Sequence, residues 1–138
     1  LPSIFTGKLI IKYGHSKIIY LGSLIFLICI IFSYFDQNFI NFLISLILLG
    51  VGWNFVFITS TDLLVKNYSS NERFRAQGFN DLIVFSVQAM ASLSAGYFIL
   101  NFGWSFVNIL CIPLVLIILI VNLRADMLSK NLKQYKNV

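Results

Sequence analysis

Three long stretches of this chain contain no charged residue. Residues 18–35 give 18 uncharged positions, residues 39–61 give 23, and residues 82–123 give 42. Eighteen helical residues rise about 27 Å, which is close to the thickness of a bilayer's hydrocarbon core. The third stretch is long enough for two spans, and Asn-Phe-Gly-Trp at 101–104 divides it, because Asn and Gly favour helix ends. The pattern predicts an all-α, polytopic transmembrane bundle with four full spans.

The composition agrees with a membrane protein and excludes two other classes. Apolar residues make up 59% of the 138 positions and charged residues only 11%. Soluble domains average about half apolar and a quarter charged residues, and disordered chains are more polar still. The apolar runs are continuous, whereas the strands of an outer-membrane barrel alternate apolar and polar residues. A soluble domain, a disordered chain and a membrane barrel are therefore all disfavoured.

The charge pattern divides the chain into segments and sets its orientation. The predicted segments are a helix end at 1–7, a loop at 8–17, helices at 18–35, 39–61, 70–100 and 105–123, and a tail at 124–138. Ser69 and Glu72 have the spacing of a capping box at the start of the third full helix. With four spans, all ten Lys and Arg residues fall on one side, which the positive-inside rule assigns to the cytoplasm. The C-terminus is therefore expected in the cytoplasm and the short turns on the outer side.

The residues that could support catalysis or metal binding are few and scattered. His15 is the only histidine; no Cys, Asp or Glu lies at ligand spacing from it, and it is expected to be a solvated loop residue. Cys29 and Cys111 lie inside apolar runs and are expected to be buried thiols that act as small hydrophobic residues. No phosphate-binding loop, zinc spacing or nucleophile motif occurs. We therefore expect neither an enzyme, a metal site nor a cofactor, and no nucleic-acid partner, because the positive charge is explained by topology.

A loop motif precedes the first full span. Residues 7–17 read Gly-Lys-Leu-Ile-Ile-Lys-Tyr-Gly-His-Ser-Lys. This segment resembles the loop signature of the major facilitator superfamily, Gly-x-x-x-Asp-Arg/Lys-x-Gly followed by basic residues. Gly7, Lys12 and Gly14 match it, while Ile11 stands at the acidic position, as suits the degenerate second copy of the motif.

The resemblance extends over the whole chain. Four helices with short outer turns and a basic tail are similar to the last four helices of that family, and residues 72–81 are similar to the start of its eleventh helix. The resemblance implies a twelve-helix secondary transporter in a bacterial inner membrane. Such a protein moves small solutes by alternating access of two halves around a central site. The partners would be the bilayer, the remaining N-terminal part of the transporter and an unidentified small solute, and this chain would not transport alone.

Polar residues deep in the second and third full spans are the candidate solute path. Trp53 and Asn54 lie past the middle of the second span, which in the family lines the cavity. Gln88 and Ser92 lie on a polar, small-residue face of the third span. Polar groups at that depth are costly unless they face protein or a wet cavity. The alternative is that these residues only pack helices together, with Asn54 forming one interhelical hydrogen bond.

A second candidate set lies nearer the cytoplasmic side. Asp81 is either a gate charge or a solvated carboxylate in the first turns of the third span. Together with Gly7, Lys12 and Gly14 it forms the candidate cytoplasmic gate and loop motif.

Two other functions remain open on the sequence. The chain could be a self-contained four-helix transporter that works as a dimer, like the small multidrug resistance family. The absence of a membrane-embedded Glu and the extra apolar segment at 1–7 disfavour this alternative. It could also be a membrane assembly or scaffold protein without transport activity. The residues do not identify the solute, the direction of transport or the coupling ion.

Overall fold

The computed structural model describes residues 2–35, 38–69 and 72–136, and the regular structure in these ranges is entirely α-helical. The helices are α1 (Pro2–Tyr13), α2 (His15–Phe35), α3 (Phe39–Lys66) and α4 (Arg73–Lys136). The last three are long and apolar enough to cross a membrane. A helix satisfies every backbone hydrogen bond within its own segment, which is why apolar runs of this length are helical in lipid. The prediction of an all-α transmembrane bundle is confirmed.

The longest helix, α4, consists of two apolar helical segments joined at one residue. Its 64 residues would reach about 96 Å if straight, roughly three times the hydrocarbon thickness. Gly103 interrupts it with φ 80° and ψ 169°, a backbone conformation that favours glycine. We call residues 73–102 the first arm and residues 104–136 the second arm. The break lies inside the predicted division at 101–104. The described residues therefore contain four long apolar segments, which are α2, α3 and the two arms, and we call these four segments the legs.

Hydrogen bonds at both ends of α2 give the direction of the second arm. The indole Nε1 of Trp104 donates to the backbone oxygen of Ser33 at 3.0 Å and to its hydroxyl at 3.1 Å. At the other end of α2, Asn122 Nδ2 donates to the backbone oxygen of Ser16 at 3.0 Å. The second arm therefore lies antiparallel to α2. One end of the bundle holds Gly103 and the start of α3, and we call it the turn end; the opposite end is the basic end.

The structure corrects the predicted loop at 8–17 and the helix end at 1–7. The segment from Pro2 to Tyr13 is one helix, and α2 begins at His15, so only Gly14 separates the two. Gly14 has φ 85°, which lets one residue redirect the chain. The lysines suggested a solvated loop, but residues 8–13 contain no helix breaker. A lysine can lie on a helix with its charged end in water.

Both limits of α4 differ from the predicted ones. It begins at Arg73 rather than at position 70, and it continues beyond 123 to Lys136, so the predicted tail is largely helical. Residues 124–136 contain neither glycine nor proline, which explains the extension. At the start, Ser69 Oγ donates to Glu72 Oε2 at 2.7 Å. The backbone N–H of Arg73 donates to the Ser69 backbone oxygen at 3.0 Å. A side-chain pair thus replaces the predicted reciprocal capping box.

Two glycines allow the backbones of α2 and α3 to pack closely against each other. A methyl group on Gly22 would lie 2.8 Å from Val56 Cγ2 and 3.1 Å from the backbone oxygen of Gly52. A methyl group on Gly52 would lie 3.0 Å from the ring of Phe26. Small residues let the backbones of membrane helices approach closely and gain van der Waals contact. α2 and α3 therefore form the centre of the described bundle.

This packing generates a test of stability. We expect Gly22→Ala to lower the stability of the detergent-purified protein by about 1–3 kcal/mol, because the added methyl group overlaps α3. Gly50→Ala is the matched control, since a methyl group there meets no atom within 4 Å. The measurement is the thermal midpoint of monodisperse protein. Equal midpoints for the two variants would contradict the close contact.

Candidate functional site

Asn54, a predicted cavity residue, is hydrogen-bonded to α1. Its Oδ1 accepts a hydrogen bond from Thr6 Oγ1 at 2.6 Å, and Thr6 is fully buried. The bond joins residues 48 positions apart and fixes α1 against the middle of α3. Sequence reasoning missed Thr6, because a lone threonine in an apolar segment does not reveal which helix it faces.

Trp53, the neighbouring candidate, belongs to a row of aromatic rings that we call the aromatic ladder (Trp53, Phe57 and Phe85). The Trp53 and Phe57 rings are stacked on α3, with centroids 5.6 Å apart and planes 9° apart. Phe85, on the first arm of α4, contacts Phe57 with a centroid separation of 6.1 Å. Trp53 is 42% exposed, so one end of the ladder is open. The ladder links α3 to the first arm.

Gln88 and Ser92 are exposed residues of the first arm. Gln88 lies three positions after Phe85, and Ser92 seven, so both share its side of the helix. The structure therefore places them on the ladder side of the first arm. It does not join Gln88 to Asn54, whose side chain is bonded to α1, and their joint contact with one solute stays a prediction.

A polar cluster lies at the basic end and joins α2 to α3. His15 Nε2 and Lys66 Nζ both lie 2.7 Å from the same carboxylate oxygen, Asp62 Oδ2. The two nitrogens are 3.3 Å from each other. Since a carboxylate oxygen accepts, both nitrogens are placed to donate to it. The expectation that His15 is a solvated loop residue is wrong, because His15 begins α2 and contacts an acidic residue 47 positions away in sequence.

The interhelical cluster has one local signal in the sequence. Asp62 and Lys66 are four residues apart at the end of a helix, a spacing that brings an acid and a base together. The third member, His15, could not be found in this way. The rotation of α2 relative to α3 decides which side chain of α2 contacts the Asp62 carboxylate.

Beside this cluster, an open cleft of about 370 Å³ lies between α3 and the first arm. Its lining residues are Phe57, Ile58, Thr61, Asp62, Val65 and Gln77. The hydroxyl oxygen of Thr61 is buried and has no hydrogen-bond partner in the described structure. Neither Thr61 nor Gln77 was among the predicted site residues.

A second cavity, of about 420 Å³, lies between α2, α3 and the second arm. Its wall is mostly apolar and includes both cysteines, Cys29 and Cys111, which are free thiols. Cys29 Sγ donates to the backbone oxygen of Ser45 at 3.1 Å, and the buried Ser45 hydroxyl has no partner in the described part of the chain. Cys29 is therefore buried as expected, whereas Cys111 is only half-buried.

The predicted gate residues do not form one site. Gly7 lies within α1, and Lys12 is exposed, with its Nζ 5.1 Å from the centroid of the Tyr13 ring. Gly14 separates α1 from α2. Asp81 accepts a hydrogen bond from Asn80 at 3.3 Å and forms no ion pair within residues 2–35, 38–69 and 72–136. Its role as a gate charge remains a prediction.

Comparison with known proteins gives one family. The model of the Major Facilitator Superfamily matches residues 2–134. The chain is 40% identical over 119 residues to the riboflavin transporter RfnT of Brucella anthropi, which covers 86% of this chain and 30% of that protein. It is 32% identical over 125 residues to the uncharacterized MFS-type transporter YddS of Bacillus subtilis, covering 84% of this chain and 29% of the relative.

A further relative, the uncharacterized MFS-type transporter YdeG of Bacillus subtilis, is 33% identical over 124 residues, which cover 83% of this chain and 29% of that protein. The chain thus spans about 30% of the length of the curated relatives it matches. No solved structure matches it. The family match over nearly all of the sequence agrees with the membrane helices and with the loop motif at residues 7–14, and the chain therefore belongs to the Major Facilitator Superfamily.

Proposed function

We propose that this chain is the C-terminal part of a secondary active transporter that carries a small solute across a bacterial inner membrane by alternating access. The observation that carries the proposal is the family match across residues 2–134. The four apolar legs and the polar side chains between α3 and its neighbours support it. In this mechanism two halves rock around a site near the midplane. This chain supplies part of one half, and the remaining N-terminal part of the same polypeptide supplies the other wall.

The lengths of the relatives support a larger native protein. The 119 aligned residues make up 30% of the Brucella transporter, so that protein has about 400 residues. The uneven distribution of lysine and arginine supports a cytoplasmic basic end, because membrane proteins retain such residues on that side. A four-helix dimeric transporter and a scaffold protein are the competing proposals, and both require a native chain of this size alone.

Riboflavin is the first candidate solute. The Brucella relative, 40% identical over 119 residues, is a riboflavin transporter. The aromatic ladder suits such a solute, since the flavin ring system is planar and stacks on aromatic side chains. Its open end is Trp53, which is 42% exposed and can offer ring surface to a solute.

The size of the native polypeptide tests the first part of the proposal. At the mass per residue of this chain, which is 15.7 kDa for 138 residues, a protein of about 400 residues weighs about 45 kDa. We therefore expect a C-terminally tagged genomic copy to give a membrane band near that mass. A band near 15.7 kDa would instead favour the four-helix dimer or the scaffold protein.

Uptake by the full-length protein tests the solute and the role of Asn54. In a bacterium that cannot make riboflavin, we expect the protein to restore uptake of radiolabelled riboflavin. We expect Asn54→Leu to lower this uptake roughly tenfold at unchanged expression, since a solute would lose a hydrogen-bond partner and meet an apolar surface.

Thr6→Val is the matched comparison for this experiment. It removes the interhelical hydrogen bond but keeps the amide of Asn54. If Asn54 contacts the solute, Thr6→Val retains most of the uptake that Asn54→Leu loses. Equal losses in the two variants would show that Asn54 serves only to join α1 to α3.

A further inference from the structure

The cleft between α3 and the first arm has unused hydrogen-bonding capacity. We call Thr61, Asp62 and Gln77 the polar cleft; they line its volume of about 370 Å³ together with three apolar residues. Thr61 Oγ1 is buried without a partner. Gln77 makes no hydrogen bond within residues 2–35, 38–69 and 72–136. A buried polar group without a partner costs about 1–3 kcal/mol, so the Thr61 hydroxyl favours a bound polar group. Gln77 is half-buried and adds a free amide at the edge of the cleft.

Asp62 contributes a fixed acceptor whose charge is balanced. His15 and Lys66 both bond to its Oδ2 at 2.7 Å, and Oδ1 has no partner in the described ranges. The bonds to one oxygen hold the carboxylate in a single orientation. Because Lys66 already supplies a positive charge, the cleft does not need a cationic ligand. An uncharged N–H donor suits Oδ1 better.

The polar cleft adjoins the aromatic ladder through a shared residue. Phe57 lines the cleft and also stacks on Trp53 at 5.6 Å and contacts Phe85 at 6.1 Å. A ring lying against Phe57 would therefore have an aromatic wall beside it and hydrogen-bonding groups at one edge. Pockets that bind small molecules commonly combine an apolar wall with a few such polar groups.

We propose that the polar cleft recognises the hydrogen-bonding edge of a planar, uncharged heteroaromatic solute. An imide edge, an N–H between two carbonyl groups, fits this set of groups. Asp62 Oδ1 accepts from the N–H, while the Gln77 amide and the Thr61 hydroxyl donate to the carbonyl oxygens. The ring packs against Phe57. This inference rests on the proposed transport function and locates one solute subsite at the basic end.

Binding to the full-length protein in detergent tests the subsite. Riboflavin has an imide edge and is fluorescent, so quenching of its emission reports binding. We expect Thr61→Val and Gln77→Leu each to raise the Kd roughly tenfold, the loss expected for one hydrogen bond to a buried group. Thr61→Ser, which keeps the hydroxyl, is expected to bind like wild type. Ser60→Ala, an exposed neighbouring position on α3, serves as the second control.

A modified ligand separates recognition of the edge from general damage. Methylation of the imide nitrogen of riboflavin removes the N–H, and we expect wild type to bind this analogue roughly tenfold more weakly than riboflavin. Only variants that elute as monodisperse protein are compared, which excludes loss of folding as the cause of weaker binding.

Three results would overturn the inference, and they differ in what they mean for the proposed function. If wild type binds riboflavin but Thr61→Val and Gln77→Leu bind it equally well, the polar cleft is not the subsite, and the transport proposal stands. If wild type neither binds nor takes up riboflavin, the solute proposed for the transporter is wrong. The assignment of its imide edge to the polar cleft is then wrong as well. Equal binding of riboflavin and its methylated analogue by wild type would also overturn recognition of the imide edge.

Discussion

The approach of α2 to α3 at Gly22 and Gly52 is the contact on which the other tertiary interactions depend. Within a bilayer, water does not drive helices together, so their association relies on close packing and on interhelical hydrogen bonds. The glycines bring the two backbones near enough for His15 to reach Asp62. The second arm then docks along α2, and α1 along the middle of α3. A methyl group at the glycine contact would therefore disturb interactions far along both helices.

Much of the fold could be predicted because it depends on local properties of the chain. The length of the uncharged stretches indicates the membrane spans. Gly103, where α4 breaks, lies within the turn predicted at 101–104. The predicted loop at 8–17 is wrong because lysines occur on helices as well as in solvated coil, and no residue between 8 and 13 prevents a helix. The partner of His15 lies 47 positions away and depends on how two helices are rotated. Composition and spacing contain no information on that rotation.

The candidate site shows the same limit at the level of single residues. Trp53 and Asn54 are neighbours, yet their side chains leave α3 about 100° apart. One therefore stacks with Phe57, and the other bonds to Thr6 on α1. Depth in the membrane identified both residues but could not assign them to different neighbours. Thr61 and Asp62 lie next to each other near the end of α3, but Gln77 joins them only after the chain has turned into α4.

The single residue between the two arms of α4 has a consequence for the surface of the protein. Because Gly103 alone departs from helical geometry, the arms are joined with almost no free peptide at the turn end. A protease, an antibody or an inserted tag needs several consecutive accessible residues. The connection between α3 and α4, where Asn67, Tyr68 and Ser69 are exposed, offers such a segment, whereas Gly103 does not. Of these two connections, the one between α3 and α4 at the basic end is therefore the better site for labelling or cleavage.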